Sequence, residues 1–328
     1  LEGSVVKLMR MGEKGVPSIN EYLENSLPEN GVIGFDGRVV NSSWGDNLLK
    51  IAEKKNGKLY TSEDLVDLVW EDRPKMSAEP CWIFEEKYSG KSTVYKLADV
   101  RAEMEKAGAD WHLLTSLYDI AWLLNVRGND IHCVPVVLSF LAMSKDQVIW
   151  FVQEEIIDEK IASYLKDNGV ETRPYNSFYD FIREIPAGVS VLMNKKLANY
   201  RVVSLVPEGV KIIDAANPTE LMKSMKNPVE VENSRKAHLK DGVAMTKFHF
   251  WLKKNMGKIP MTEVSVSDYL ESLRAEQEGF LGISFDTISA YSENVQKPRR
   301  WHGMLPVNPS VHRLSYSPQN DRFSSNPS

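Results

Sequence analysis

Cysteine is scarce in this sequence: Cys81 and Cys133 are the only two among 328 residues. That excludes a disulfide framework in a chain of this length, and the apolar neighbours of both predict buried thiols. Long hydrophobic runs are missing too. None approaches the roughly 18 to 20 residues of a membrane-spanning helix, so no membrane partner is expected. The opening "LEGSVVKLMR" has no basic start leading into an apolar core, so no signal peptide is read there and a cytoplasmic protein is expected. Charge of one sign is in short supply: the net charge is −5, which argues against binding nucleic acid through bulk charge. Neither a glycine-rich phosphate loop nor a nucleophile elbow is present.

What is present is an ordinary globular composition, 42% hydrophobic and 26% charged. The first segment alternates strand and helix. "PSINEYLENSLPENG" predicts a helix capped by Ser18 and ended near Gly31; "VIGFD" a short buried strand; "GDNLLKIAEKKNG" a second helix stopped at Asn56-Gly57. Thr61 or Ser62 caps a turn holding Glu63 and Asp64, and "PKMSAEP" is a linker by composition.

A second unit runs from about Trp82 to Pro218. Leu97, Val100 and Met104 fall at helical spacing before a stop at Gly108. "WHLLT" predicts a strand, and "PVVLSFLAM" and "VIWFVQ" predict two strands around the polar turn "SKDQ". Helices in "EIIDEKIASYLKDNG" and "SFYDFIREIPAG" alternate with strands in "VSVLMN" and "VKIIDAANP". Strands alternating with helices predict an α/β layer fold. The first segment reads as the tail end of a similar unit, a weak sign of duplication.

A third unit opens with one long helix from Pro228 to about Asn255, with Val231, Ala237, Val243, Ala244, Phe248 and Trp251 near helical period. A second helix follows in "TEVSVSDYLESLRAEQEG", with Ser265 and Asp268 spaced as a capping box. The apolar run "FLGISFDTISAY" is expected to enter a sheet. After Asn294 the character changes. The last 34 residues hold 5 of the 16 prolines and five Lys/Arg against one acid, Asp321, and they contain no Glu. They show neither helical nor strand period. Two readings stand for 292–328: a disordered C-terminus, or an altered reading frame, a splice variant or a gene-model error.

The most pointed polar group lies in "TSLYDIAWLLNVRGNDI": Asp119, Asn125, Arg127 and Asp130. Arg127 and Asp130 are the candidates for substrate contact. The competing architectural reading makes Ser116 and Asp119 a capping box, Asn125 a helix end, and Arg127 an ion pair with Asp119 or Asp130. His112 and His132 flank the stretch without Cys or carboxylate spacing, which makes no metal site. Asp110, Asp119, Asp130 and His132 are the set to search should a metal bind. His238 and His249 lie eleven residues apart on the long helix with no third ligand, and Glu230 and Glu232 read as a solvated face.

Six stretches in order, "LVDLVWEDRP", "YSGKSTVYKLADVRAEM", "DIAWLLNVRGNDI", "LMKSMKNPVEVENSRKAHLKDGVAMTKFHFWL", "TEVSVSDYLESLRAE" and "GISFDTISAY", give the chain a resemblance to three-domain Xaa-Pro aminopeptidases of the creatinase/prolidase group. The resemblance covers roughly Gly34 to Tyr291. It implies an α/β protein: creatinase-like N-terminal α/β domains followed by an incomplete pita-bread (α+β) domain. The implied boundaries are 1–73 for the C-terminal part of a first creatinase-like domain, 74–222 for a second, 223–291 for the start of the pita-bread domain, and 292–328 for an atypical tail. The implied activity is metal-dependent release of an N-terminal residue preceding proline. Its substrates would be peptides with proline at the second position, and a homodimer through the third domain is left open.

The family's site is a two-metal centre, usually manganese, held by two Asp, two Glu and one His. Hard divalent ions favour carboxylate oxygens, and two ions close together need carboxylates that bridge them. That set is expected in the last part of the third domain. Here "SENVQKPRRWHGM" stands where the family has an apolar run ending in histidine, and His302 among arginines is read as coincidence. The expectation is therefore that this chain binds no metal and has no catalytic residues. The alternative is a non-catalytic peptide-binding or protein-interaction module, a role known for metal-free pita-bread relatives.

Overall fold

A computed structural model describes residues 3–291 and Asn294. The readings of the tail, His302 and Asp321 included, lie outside the described residues. The elements in chain order are α1 (Ile19–Ser26), β1 (Val32–Gly34), α2 (Ser42–Glu53), β2 (Lys58–Tyr60), β3 (Trp82–Ile83), α3 (Glu86–Ser89), α4 (Thr93–Ala107), β4 (Trp111–Leu114), α5 (Leu117–Leu124), β5 (Val126–Arg127), β6 (Phe140–Ser144), β7 (Val148–Val152), a 3₁₀ turn (Glu154–Ile156), α6 (Glu159–Asp167), β8 (Glu171–Pro174), α7 (Ser177–Arg183), β9 (Ser190–Met193), α8 (Tyr200–Ser204), β10 (Lys211–Asp214), α9 (Pro218–Ser224), α10 (Pro228–Asn255) and α11 (Glu263–Ala275). They fall into two compact units, Leu1–Lys226 and Asn227–Ser328. No helix of the described residues is long and apolar enough to cross a membrane.

The first unit is built on a six-stranded mixed sheet in the order β10-β9-β4-β6-β7-β8. β10, β9 and β4 run parallel, β6 is antiparallel to both β4 and β7, and β8 is parallel to β7. Successive side chains of a strand point to opposite faces, and here both faces are covered. Leu114, Leu141, Met143 and Trp150 pack with Leu97, Val100 and Met104 of α4, Ile120 and Leu123 of α5, and Ile161 and Leu165 of α6. Leu113, Phe140, Ala142 and Phe151 pack on the other side with Phe178 and Ile182 of α7 and Val202 of α8. Double coverage explains why β7 reads as an unbroken apolar run: all five of its residues are buried.

The segment before the linker joins this body through a reciprocal contact. Asn41 and Asn199 form an isolated antiparallel bridge. Around it, Ser42 N–H donates to Ala198 O (3.0 Å) and Tyr200 N–H donates to Val40 O (2.7 Å). Both asparagines cap helices. Asn41 Oδ1 accepts from Trp44 N–H ahead of α2, and Asn199 Oδ1 accepts from Val202 N–H ahead of α8. Each helix also connects two parallel strands, β1 to β2 and β9 to β10. The two strand-helix-strand pieces thus meet at equivalent points, which gives the weak duplication signal a geometric form. The approach is close enough that a Cβ at Gly45 would run into the Tyr200 ring.

In the second unit α10 has the bounds its sequence predicts. Asn227 caps it, Glu230 completes the capping box, and Pro228 occupies the first turn, where its missing N–H costs nothing. Two expectations need correction, the α11 cap and the strand in "FLGISFDTISAY". Of the apolar positions on α10, only Ala244 and Phe248 are buried, since a single helix covers this face. Those two join Met261, Val266, Leu270 and Leu273, and Trp251 stacks on Tyr269 at 3.9 Å. The α11 cap is Thr262, paired reciprocally with Ser265, so the helix starts one turn before the predicted Ser265/Asp268 box. Finally, "FLGISFDTISAY" forms no strand among the described residues. A strand exists only through ladder partners, and none lies beside it among the described residues.

Candidate functional site

The polar residues around α5 show what the "TSLYDIAWLLNVRGNDI" stretch does. The last carbonyls of any helix lack intrahelical partners. Here three of the last four are met by side chains from outside the helix. Arg127 Nη1 donates to Ala121 O (2.6 Å), Lys96 Nζ to Trp122 O (2.8 Å) and Tyr164 Oη to Leu124 O (3.0 Å). Two of the three donors are cations, which also suits the negative end of the helix dipole. Asn125 ends the helix in the left-handed region at φ 50°, a conformation asparagine tolerates. Its Oδ1 accepts from Lys96 Nζ (2.6 Å) and its Nδ2 donates to Lys91 O (2.9 Å). Lys96 is buried, and its ammonium sits 4.5 Å from the Trp122 ring centroid.

At the other end of α5 the expected capping box is absent: Ser116 makes no side-chain cap bond. Asp119 is buried and accepts from Lys223 Nζ (2.6 Å) of α9 and from Asn217 Nδ2 (3.2 Å). Its ionic partner is thus Lys223, a residue a hundred positions away that sequence spacing cannot select. The Arg127 guanidinium lies 4.2 Å from the Phe84 ring centroid. Asp130 accepts from Ser77 Oγ (2.7 Å), Glu79 N–H (3.0 Å) and Leu138 N–H (2.8 Å), clamping the linker to the loop after β5. Asn125, Arg127 and Asp130 therefore hold backbone. Sequence reading passed over Lys96, yet a signal was there: it falls within the buried stripe Thr93, Leu97, Val100, Met104 of α4.

The remaining candidates stay scattered. Cys81 is a buried thiol whose Sγ donates to Ile156 O (3.4 Å), and burial pushes its pKa up to about 11, away from the reactive thiolate. Cys133 is half-buried and His132, His238 and His249 are exposed. His112 is fully buried on β4. Its Nδ1 lies 3.0 Å from Leu192 O of β9, and its Nε2 has no hydrogen-bond partner. Burial lowers its pKa below the ordinary 6.5, against the opposing pull of the Leu192 carbonyl and Asp119.

This gives a pH prediction with a definite sign. Below about pH 6.5 the unfolded chain takes up a proton that native His112 refuses, so the unfolded state binds more protons and stability falls as pH drops. The slope should reach at most about 1.4 kcal/mol per pH unit for one group. Urea melts between pH 7 and 5 should show the loss in wild type and a flatter profile in His112→Phe. Equal slopes in both proteins would remove His112 as the cause.

A two-metal centre of the kind the resemblance implies needs several carboxylates and an imidazole within a few ångströms. Within either unit taken by itself, no three His, Cys, Asp or Glu donors converge among the described residues. The described donor set does not fit the group.

Residues 72–230 match the creatinase/prolidase N-terminal domain family. The mixed sheet with helices on both faces is that α/β class. Among curated proteins, a probable Xaa-Pro aminopeptidase P of Sordaria macrospora is 34% identical over 301 residues, covering 88% of this chain and 49% of that protein. Aminopeptidase P1 of Arabidopsis thaliana is 31% identical, with 88% and 52% covered. Among solved structures, the X-prolyl aminopeptidase of Caenorhabditis elegans, described as a cytosolic enzyme with a di-nuclear active site, matches with a TM-score of 0.78 at 28% identity. It covers 87% of this chain and 47% of that one. The chain is a homologue of the Xaa-Pro aminopeptidases P and spans about half the length of the curated relatives it matches.

Proposed function

We propose that this chain derives from a metal-dependent Xaa-Pro aminopeptidase, which releases the N-terminal residue preceding proline, and that the 328-residue polypeptide is catalytically incompetent. Support for the parent activity is the homology just described. Support for incompetence is the carboxylate arithmetic: beyond Asn294 the sequence has no Glu and one Asp, Asp321, where a bridged two-metal site needs four carboxylates. Hydrolysis by that route needs the metal-activated water, and orientation alone does not supply the nucleophile. The same reading keeps 1–73, 74–222, 223–291 and 292–328 as domain boundaries, treats 223–291 as an incomplete pita-bread domain through which a homodimer would form, and places the protein in the cytoplasm. It assigns no catalytic or metal-binding residue and gives Arg127 and Asp130 scaffold roles.

The test is release of arginine from an Arg-Pro-Pro peptide by the full chain with and without Mn²⁺, beside an active relative. The expected rate is lower by about 10⁶-fold or more, the scale of enzymatic acceleration. Titration calorimetry should show no stoichiometric submicromolar Mn²⁺ or Zn²⁺ site. Chelator-sensitive release that survives removal of host peptidases would overturn the reading.

A second reading, a non-catalytic peptide-binding or interaction module, is favoured by one observation. The second unit exposes Leu239, Phe250, Leu281, Phe285 and Ile288 on its surface. Exposed apolar patches of this sort mark interaction sites.

A further inference from the structure

We propose that the outward face of α10 is a docking surface for an acidic amphipathic helix of a partner protein. This rests on the interaction-module reading and names the surface and the partner. Helix positions spaced by four, three and four residues fall on one side. On α10 these are Leu239, Val243, Thr246 and Phe250, a line about 16 Å long. Leu239 is 70%, Val243 42% and Phe250 68% exposed, on the side turned away from Phe248, which is buried in the contact with α11.

The charges bordering that line have one sign. At about 100° per residue, Lys236, Lys247 and Lys254 fall on one flank of it and Arg235 and Lys253 on the other. All five are exposed. The one acid among them is Glu232, whose carboxylate lies 3.6 Å from Lys236 Nζ. The other acids of α10 are engaged elsewhere, Glu230 in the capping box and Asp241 with Arg274 Nε at 2.7 Å. Lys247 pairs with Glu276 at 2.8 Å. Arg235, Lys253 and Lys254 have no ion pair among the described residues, and Lys254 Nζ sits 5.9 Å from the Phe250 ring centroid.

That combination selects the partner. An apolar line bordered by cations is matched by a helix with Leu or Val along its own line and Glu or Asp on its borders. A basic helix would meet repulsion on both flanks. A nucleic acid would meet the cations through its phosphates and leave the apolar line without a counterpart.

The experiment uses the full chain and two labelled helical peptides, one with Leu and Glu at heptad spacing and one with Lys in place of Glu, read by fluorescence anisotropy. The Leu/Glu peptide should bind saturably, at least about tenfold tighter than the Leu/Lys peptide, and more weakly as salt rises. Leu239→Ser with Phe250→Ser should weaken that binding about tenfold or more. Arg235→Gln with Lys254→Gln should weaken it about threefold or more and flatten its salt dependence. All four positions are exposed, so the circular dichroism should stay that of wild type. Saturable binding that both double variants leave unchanged overturns the α10 surface and spares the interaction-module reading. No saturable binding of either peptide overturns both. Equal affinity for the two peptides overturns the charge assignment. Anionic lipid vesicles that bind the chain and displace the Leu/Glu peptide would make a membrane surface the occupant and overturn the protein partner. A concentration-dependent dimer lost in the Leu239/Phe250 variant would do the same in favour of a second copy.

Discussion

Replacing Lys96 with alanine is expected to destabilise the Leu1–Lys226 unit by about 3–5 kcal/mol, read by urea unfolding of the full chain followed by tryptophan fluorescence. Two costs combine. The substitution leaves the buried Asn125 Oδ1 and Trp122 O without the cationic donor that satisfies them at 2.6 and 2.8 Å. It also removes the stem beyond Cβ, three methylenes, from a core position between Thr93 and Leu97. Lys96→Met separates the two. It restores most of the volume but no donor, and it should cost about 1–3 kcal/mol, the penalty of unmet buried polar atoms. Buried charges are sometimes replaced by apolar side chains with a net gain. A Met variant as stable as wild type would show that Lys96 is such a case and that the α5 carbonyls need no donor.

Phe178→Ala should be comparably severe, about 3–5 kcal/mol, by loss of a ring at the centre of the second face of the sheet. Phe178 is fully buried, stacked on Phe140 with ring centroids 4.4 Å apart and edge-on to Phe151 at 5.1 Å. Both strand partners are themselves buried on a face closed by α7 and α8, so collapse around the void is limited. For a unit of this size the melting temperature should drop by about 6–20 °C. Phe178→Leu keeps much of the volume and should cost clearly less. A drop of less than about 3 °C for the alanine variant would mean that α7 is not a structural part of the core.

Much of the architecture is readable without coordinates because it is local. The α10 start needs only Asn227, Pro228 and Glu230, whose capping geometry lies within three residues. The α4 stripe and the Gly108 stop likewise lie within one helix, and burial of Leu97, Val100 and Met104 follows from helical period. Strands β4, β6, β7, β9 and β10 announce themselves as short apolar runs, whereas the edge strand β8, "ETRP", has no such run and does not read as a strand. The resemblance carried by six stretches in order added the family, and the later comparisons agree with it.

The polar site was less legible, and the reason is physical. Composition and spacing narrowed "TSLYDIAWLLNVRGNDI" to helix, turn and strand with four polar residues, and they marked Asn125 as a helix end, which its left-handed φ bears out. Partner choice among those residues depends on which distant elements the fold brings beside α5. Lys223 and Asn217 come from α9 and its cap, Tyr164 from α6 and Ser77 from the linker, and no local period encodes their approach. The "FLGISFDTISAY" run makes the same point in reverse. Its alternation determined a capacity for extended chain. Only the tertiary structure decided whether a ladder formed, because a strand takes its hydrogen bonds from a neighbour that its own sequence does not contain.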